Sequence, residues 1–249
     1  MYNKFAETQI KLNEDIRFIN LGYHSSEKLA LLGKDEPYRL SIQLYHELLK
    51  GIDVNGKNVL EIGCGFGGGC YYLANYHKPE QVTGIDLSDK NIARCIKIHN
   101  SPIIQFKEGD AEDTGFASES FDVIVNLESS HGYPSRDTKF CHEVARLLRP
   151  GGYFAYGDLF GEKQFKSFTM ALNEAGMIQL SEKDITKEVL QARPMLQYKS
   201  VNTDNKPFWM PLFKYKNLTV SNDSATYKAM TEGRIRYKLF TFKKGVKDE

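Results

Sequence analysis

Two sets of residues in this chain of 249 have types and spacings that can do chemistry. The first is Val59-Leu60-Glu61-Ile62-Gly63-Cys64-Gly65-Phe66-Gly67-Gly68-Gly69, an apolar run with an acid inside it, followed by five glycines in seven positions. Glycine has no Cβ, so such a stretch turns sharply and lets a ligand approach the backbone. Cys70-Tyr71-Tyr72-Leu73-Ala74 then opens a helix, whose free N–H groups and positive dipole end complete a ligand cradle. The second is Asp86, placed roughly 20 residues on, where an acid that binds ribose hydroxyls belongs.

Two nucleotide readings of the cradle compete. Gly63-Cys64-Gly65-Phe66-Gly67-Gly68 satisfies the dinucleotide pattern G-x-G-x-x-G literally, so the spacing alone leaves an NAD-dependent oxidoreductase open. Glu61 separates the readings: a carboxylate inside the strand, two residues before the first glycine, is no part of the dinucleotide pattern.

The elements that must position these residues alternate from residue 58 onward. Apolar runs read as strands over 58–62, 81–86, 103–107, 121–127, 153–158 and 177–184. Helical periodicity fills the intervals, with Ser88 as an N-cap, a helix over 137–149 stopped by Pro150-Gly151-Gly152, and a helix over 162–175 ended by Gly176. A last helix, 223–233, and a last strand, 234–243, close the chain. Such β-α units with short connections predict a parallel sheet covered on both faces. Ahead of the sheet, residues 1–57 read as a helical cover, with amphipathic patterns over 4–20 and 37–50 around the loop that holds Tyr23 and His24. Residues 190–222 break the rhythm with Pro194, Pro207, Pro211 and a run of aromatics including Trp209, and read as an insertion folding over the carboxyl end of the sheet as a substrate lid.

Bulk composition narrows the function classes. A net charge of +1 with 26% charged residues gives no global pull toward nucleic acid or an anionic membrane. Cys64, Cys70, Cys95 and Cys141 lack CxxC spacing and read as reduced, buried thiols. The first residues lack an apolar leader pattern, and no apolar run approaches the ~18 residues of a membrane span, so the expectation is one cytoplasmic domain without membrane insertion.

Taken in order, Glu61-x-Gly63-x-Gly65-x-Gly67, Gly84-Ile85-Asp86-Leu87-Ser88, Gly109-Asp110-Ala111, Phe121-Asp122-Val123-Ile124-Val125 and Leu147-Leu148-Arg149-Pro150-Gly151-Gly152 resemble the motifs of class I S-adenosylmethionine (SAM) methyltransferases. Within them the chain is similar to small-molecule natural-product O-methyltransferases of the rebeccamycin sugar and phthiotriolone type. The resemblance implies a Rossmann-like α/β fold with a seven-stranded, mostly parallel sheet whose last strand is antiparallel. It implies SAM as cofactor, with Asp86 on the ribose hydroxyls, Leu87 beside it, Asp110 and Ala111 at the adenine, Leu127 presenting backbone to the methionine part, Glu61 orienting the glycine turn or the cofactor's amino group, and Tyr23 on a loop that closes over the cofactor.

Methyl transfer from a sulfonium is an in-line displacement, and a hydroxyl acceptor must lose a proton. The candidate base is His131, just past the fourth strand, paired with Asp158 at the end of the fifth; the rebeccamycin type has a similar histidine and aspartate. Such an aspartate fixes the imidazole tautomer and stabilises the imidazolium. His24 and His142 are weaker candidates. The segment Asn126-Leu127-Glu128-Ser129 differs from the D/N-P-P-Y of enzymes that methylate nucleic-acid amino groups, and no carboxylate cluster suggests a metal. The expected acceptor is a hydroxyl of a small, apolar metabolite: a polyketide, glycoside, phenol or sterol-like molecule. A SAM-binding cyclase or partner-activating protein that does not methylate is the alternative.

Overall fold

The computed structural model describes residues 16–196 and 225–246. Strands β1 (Asn58–Ile62), β2 (Gln81–Asp86), β3 (Ile104–Glu108), β4 (Phe121–Leu127), β5 (Leu148–Phe160), β6 (Met177–Asp184) and β7 (Arg236–Lys244) form one sheet in the order β3-β2-β1-β4-β5-β7-β6. The first five pair in parallel, while β7 slots between β5 and β6 antiparallel to both. This is the mixed seven-stranded sheet that the resemblance implied. The central strands read Val-Leu-Glu-Ile and Val-Ile-Val because helices bury both faces.

Helices α1 (Arg39–Leu48), α2 (Gly68–Tyr76), α3 (Asp89–Ile98), α4 (Cys141–Leu147), α5 (Glu162–Glu174), α6 (Thr186–Ala192) and α7 (Ala225–Thr231) supply the outer layers. One core joins α1, α2 and α3 to the sheet through Leu44, Leu73, Cys95, Val59 and Val125. The other packs α4 and α5 against the opposite face through Leu60, Ile124, Phe140, Phe154 and Phe168. Because β1 lies between β2 and β4, the connections run to opposite sides of it, and its carboxyl end is the switch point at which open α/β sheets take their ligands.

Several boundaries differ from the sequence reading. The helix expected over 137–149 is a π-helical turn, Arg136–Phe140, followed by the short α4. Leu148 already pairs with Phe121, and the chain rejoins β4 at Tyr153↔Val123, so Arg149–Gly152 loops out of the strand. β3 starts one residue later than read. Helix α6 was not expected; it occupies residues where the reading began an irregular lid. Residues 16–20 are not helical, and the rest of the pattern over 4–20 lies outside the described residues, as does most of the lid, Trp209 included.

Candidate active site

The glycine turn takes its shape from backbone geometry. Gly63, Gly65 and Gly67 have φ of 72°, 54° and 74°, the left-handed region that side chains disfavour. The N–H groups of Gly63 and Cys64 both donate to Ile85 O, at 2.8 and 2.9 Å, which ties the turn to the end of β2. Space is as tight as conformation. A Cβ on Gly63 would clash with Ser129 and come within 2.8 Å of the Tyr133 hydroxyl; one on Gly67 would meet His99 and Phe106 at 2.8 Å.

Beneath the turn, Glu61 is buried. Its Oε1 accepts from the Tyr45 hydroxyl at 2.7 Å and its Oε2 from the Cys70 thiol at 3.0 Å. Burial outweighs these bonds and lifts its pKa to about 7. Burial likewise raises Cys70 to about 12, and all four cysteines are free and buried, as their spacing suggested.

Asp86 ends β2 facing the turn. Its Oδ2 accepts from Gly65 N at 2.9 Å, and its Oδ1 accepts from Ser88 N at 2.9 Å and Asn91 Nδ2 at 3.0 Å. Ser88 caps α3 by accepting from Asn91 N, as read. Leu87, next in the chain, is 58% exposed, an apolar surface beside Asp86. Asp110 is exposed and uses Oδ1 to accept from Glu112 N at 2.9 Å, while Ala111 is buried beside it. Leu127 is buried at the end of β4, opposite Gly157.

Tyr23 sits apart from the turn. Its hydroxyl accepts from Lys183 Nζ at 3.3 Å, and that ammonium also pairs with Glu47 at 2.6 Å. The residues that meet the turn precede it: a Cβ on Gly65 would touch the Ile19 side chain at 2.9 Å, and one on Gly68 would touch the Arg17 carbonyl at 2.7 Å and the Phe18 ring. The segment 16–22 therefore lies across the glycine turn, whereas sequence reasoning singled out the loop holding Tyr23 as the one that closes over the cofactor.

The structure brings His131 and Asp158 together. His131 sits in the short 3-10 turn Ser130–Gly132 just past β4, and its Nδ1 is 3.0 Å from Asp158 Oδ1. Asp158 is fully buried, whereas half of the His131 side chain is exposed. The aspartate is held from several directions: Oδ2 accepts from Ser130 Oγ at 2.7 Å and His131 N at 3.1 Å, and Oδ1 accepts from Leu159 N at 2.8 Å. Ser130 Oγ also contacts the buried Tyr156 hydroxyl at 2.8 Å. With Asp158 Oδ1 accepting from Nδ1–H, Nε2 carries the lone pair that can take a proton. Desolvation alone would lower the imidazole pKa, but the Asp158 charge and hydrogen bond outweigh it and leave the pKa raised. His24 and His142 take no part in this arrangement.

Sequence reasoning did not assign roles to Ser130, Tyr156 or Glu128. Glu128 lies between Leu127 and the histidine turn, and burial raises its carboxyl to about 7. The only signal for it was an acid directly after an apolar strand, whereas Glu61 lies inside one.

Comparisons with known proteins bear on this geometry. Residues 60–156 match the family model described as "Methyltransferase domain". A fatty-acid O-methyltransferase of Mycolicibacterium smegmatis is 42% identical over 190 residues, covering 76% of this chain and 69% of that protein. A phthiotriol/phenolphthiotriol dimycocerosates methyltransferase of Mycobacterium leprae is 34% identical over 235 residues, covering 93% and 86%. The crystal structure of geranyl diphosphate C-methyltransferase from Streptomyces coelicolor A3(2), in complex with Mg2+, geranyl diphosphate and S-adenosyl-L-homocysteine, superposes with a TM-score of 0.71 over 98% of each chain, at 13% identity, a likeness of fold alone.

Proposed function

The chain belongs to the class I SAM-dependent methyltransferases, and from that premise we propose that it methylates a hydroxyl oxygen of a small, lipid-like molecule, with His131 as general base. The observation that carries the proposal is the His131–Asp158 contact just past the carboxyl end of β4, the strand beside β1.

The residues around the glycine turn fit SAM. An uncovered Leu87 offers an apolar wall to a purine, the adjacent Asp86 offers a carboxylate to a ribose diol, and the exposed Asp110 offers an acceptor to an exocyclic amine. Gly63, Gly65, Gly67, Ala111 and Leu127 complete the assigned cleft, Glu61 braces the turn from below, and Tyr23 anchors the start of α1. When bound, SAM supplies an electrophilic methyl on a sulfonium. The protein's part is to align the acceptor oxygen and to take its proton at His131 Nε2 while buried Asp158 stabilises the imidazolium.

The named relatives act on a fatty acid and on phthiotriol-type lipids, which supports an apolar acceptor over a sugar. One of them favours a second reading. A fatty-acid acceptor presents a carboxylate, which needs no base, and a His131 with raised pKa would hold that carboxylate as an imidazolium.

The test is release of S-adenosylhomocysteine from SAM across long-chain alcohols and diols, phenols, free fatty acids and glycosides. Turnover on hydroxylated apolar acceptors supports the first reading; turnover on fatty acids alone supports the second. Release with glycosides only, or with none of these while S-adenosylhomocysteine still binds, overturns both.

A further inference from the structure

Glu128 has a backbone that needs explaining. Its φ is 52°, one of two left-handed non-glycine residues among those described, and the other, Glu119, belongs to an exposed turn. A glutamate in this region is strained by its Cβ, and such strain persists only where surrounding contacts impose it. The contacts here are specific. Glu128 N donates to Gly157 O at 2.8 Å, which holds the residue to β5 just before Asp158. Its carboxylate Oε1 then accepts two bonds from opposite ends of the chain: Leu21 N at 2.9 Å and the Tyr237 hydroxyl of β7 at 2.8 Å.

Leu21 belongs to the segment that lies across the glycine turn, two residues beyond the Ile19 side chain over Gly65. Within this segment Arg94 Nη2 donates to Ile16 O at 2.8 Å and Asn20 Nδ2 donates to Ser41 O at 3.2 Å, and just beyond it Tyr23 N donates to Leu40 O at 2.9 Å and His24 N donates to Glu188 O at 3.2 Å, all to helices. Glu128 ties the segment to the strand ends that carry His131 and Asp158.

We propose that Glu128 is a positioning residue that latches segment 16–22 over the glycine turn to the floor of the His131–Asp158 site, so that retention of the cofactor and placement of the acceptor share one carboxylate. This rests on the proposed cofactor cleft. The left-handed backbone at Glu128 turns the side chain toward Leu21 and Tyr237, and an uncharged side chain of the same reach keeps the latch only if it presents an oxygen to the same two donors.

Glu128→Leu keeps the volume and removes the acceptor; Glu128→Gln keeps a carbonyl oxygen at the same reach. The measurements are calorimetric affinity for S-adenosylhomocysteine, hydrogen exchange at the Leu21 amide, and the split between the KM for SAM and kcat. Losing hydrogen bonds to a carboxylate predicts roughly a tenfold weaker affinity in Glu128→Leu, faster exchange at Leu21 and a raised KM with a smaller change in kcat. Glu128→Gln should recover most of each. Should Glu128→Leu fold poorly, Glu128→Asp draws the carboxylate back by one methylene from Leu21 N and the Tyr237 hydroxyl; weaker affinity with faster Leu21 exchange supports the latch, and wild-type values of both overturn it. Wild-type affinity and Leu21 exchange in Glu128→Leu overturn the proposal, as does a lowered melting temperature with KM unchanged, or a Gln variant no better than Leu. An Asp86→Ala variant with unchanged affinity would instead sink the cleft reading, so the two failures are distinguishable.

Discussion

His131 Nδ1 stands 3.0 Å from Asp158 Oδ1, the aspartate wholly buried and the histidine half open to solvent. The relationship joins two strand ends that are neighbours in space and about thirty residues apart in sequence, and it decides which histidine nitrogen is left to take a proton. Ser130, itself in contact with the Tyr156 hydroxyl, donates to the aspartate and fixes its geometry.

Replacing Asp158 with Asn should lower kcat by about as much as loss of the base itself or less, within the 10²–10⁴-fold range of general-base catalysis. An amide can donate to Nδ1 and leave the proton on Nε2, the wrong tautomer. Because the Asp158 charge is what raises the His131 pKa, the acidic limb of kcat/KM should move to lower pH in this variant. Rate-versus-pH profiles of wild type and variant check both statements; an unmoved limb counts against the coupling.

Asp86→Ala should weaken S-adenosylhomocysteine binding by tenfold or more, since the ribose hydroxyls lose a charged acceptor worth roughly 1.5–3 kcal/mol. The variant also loses the bonds from Gly65 N, Ser88 N and Asn91 Nδ2, so its melting temperature should fall as well. Calorimetry on the folded fraction separates the two effects.

Glu61→Gln should stabilise the protein at pH 8 more than at pH 5. In the folded state burial holds the Glu61 pKa near 7, whereas an unfolded glutamate titrates at about 4.3. Between those values the folded state binds the extra proton, so stability falls as pH rises and stays low above the folded pKa. Glutamine removes that slope at position 61 but leaves the matching contribution of Glu128. Thermal melts should show a gain of a few degrees at pH 8, since ~1 kcal/mol moves a domain of this size by about 2–4 °C, and little gain at pH 5.

The sheet was legible because its signals are local. Val-Leu-Glu-Ile before five glycines, and Val-Ile-Val in β4, each announce a buried strand within a few residues. The His131–Asp158 pair was legible only through a resemblance that placed β4 beside β5. What stayed hidden depends on long-range packing. The role of Ile19 over Gly65 needs the N-terminal segment to cross the sheet end, and the carboxyl bonds of Glu128 reach residues more than a hundred positions away in each direction. The helix read over 137–149 begins as a π-helical turn at Arg136, whose guanidinium lies against the Phe160 and Phe168 rings, contacts far along the chain. Local periodicity carries none of that information.

The most direct measurement of the central claim is the pH dependence of kcat/KM for a hydroxylated, apolar acceptor in wild type and His131→Ala. The account predicts a wild-type rate that falls on the acidic side, with a pKa above the ordinary histidine value of about 6.5, because imidazolium cannot take the acceptor's proton. It predicts that His131→Ala loses about 10²–10⁴-fold in kcat and loses that limb, while its affinity for S-adenosylhomocysteine stays at the wild-type value. Near-normal turnover in His131→Ala with the acidic limb intact would contradict it.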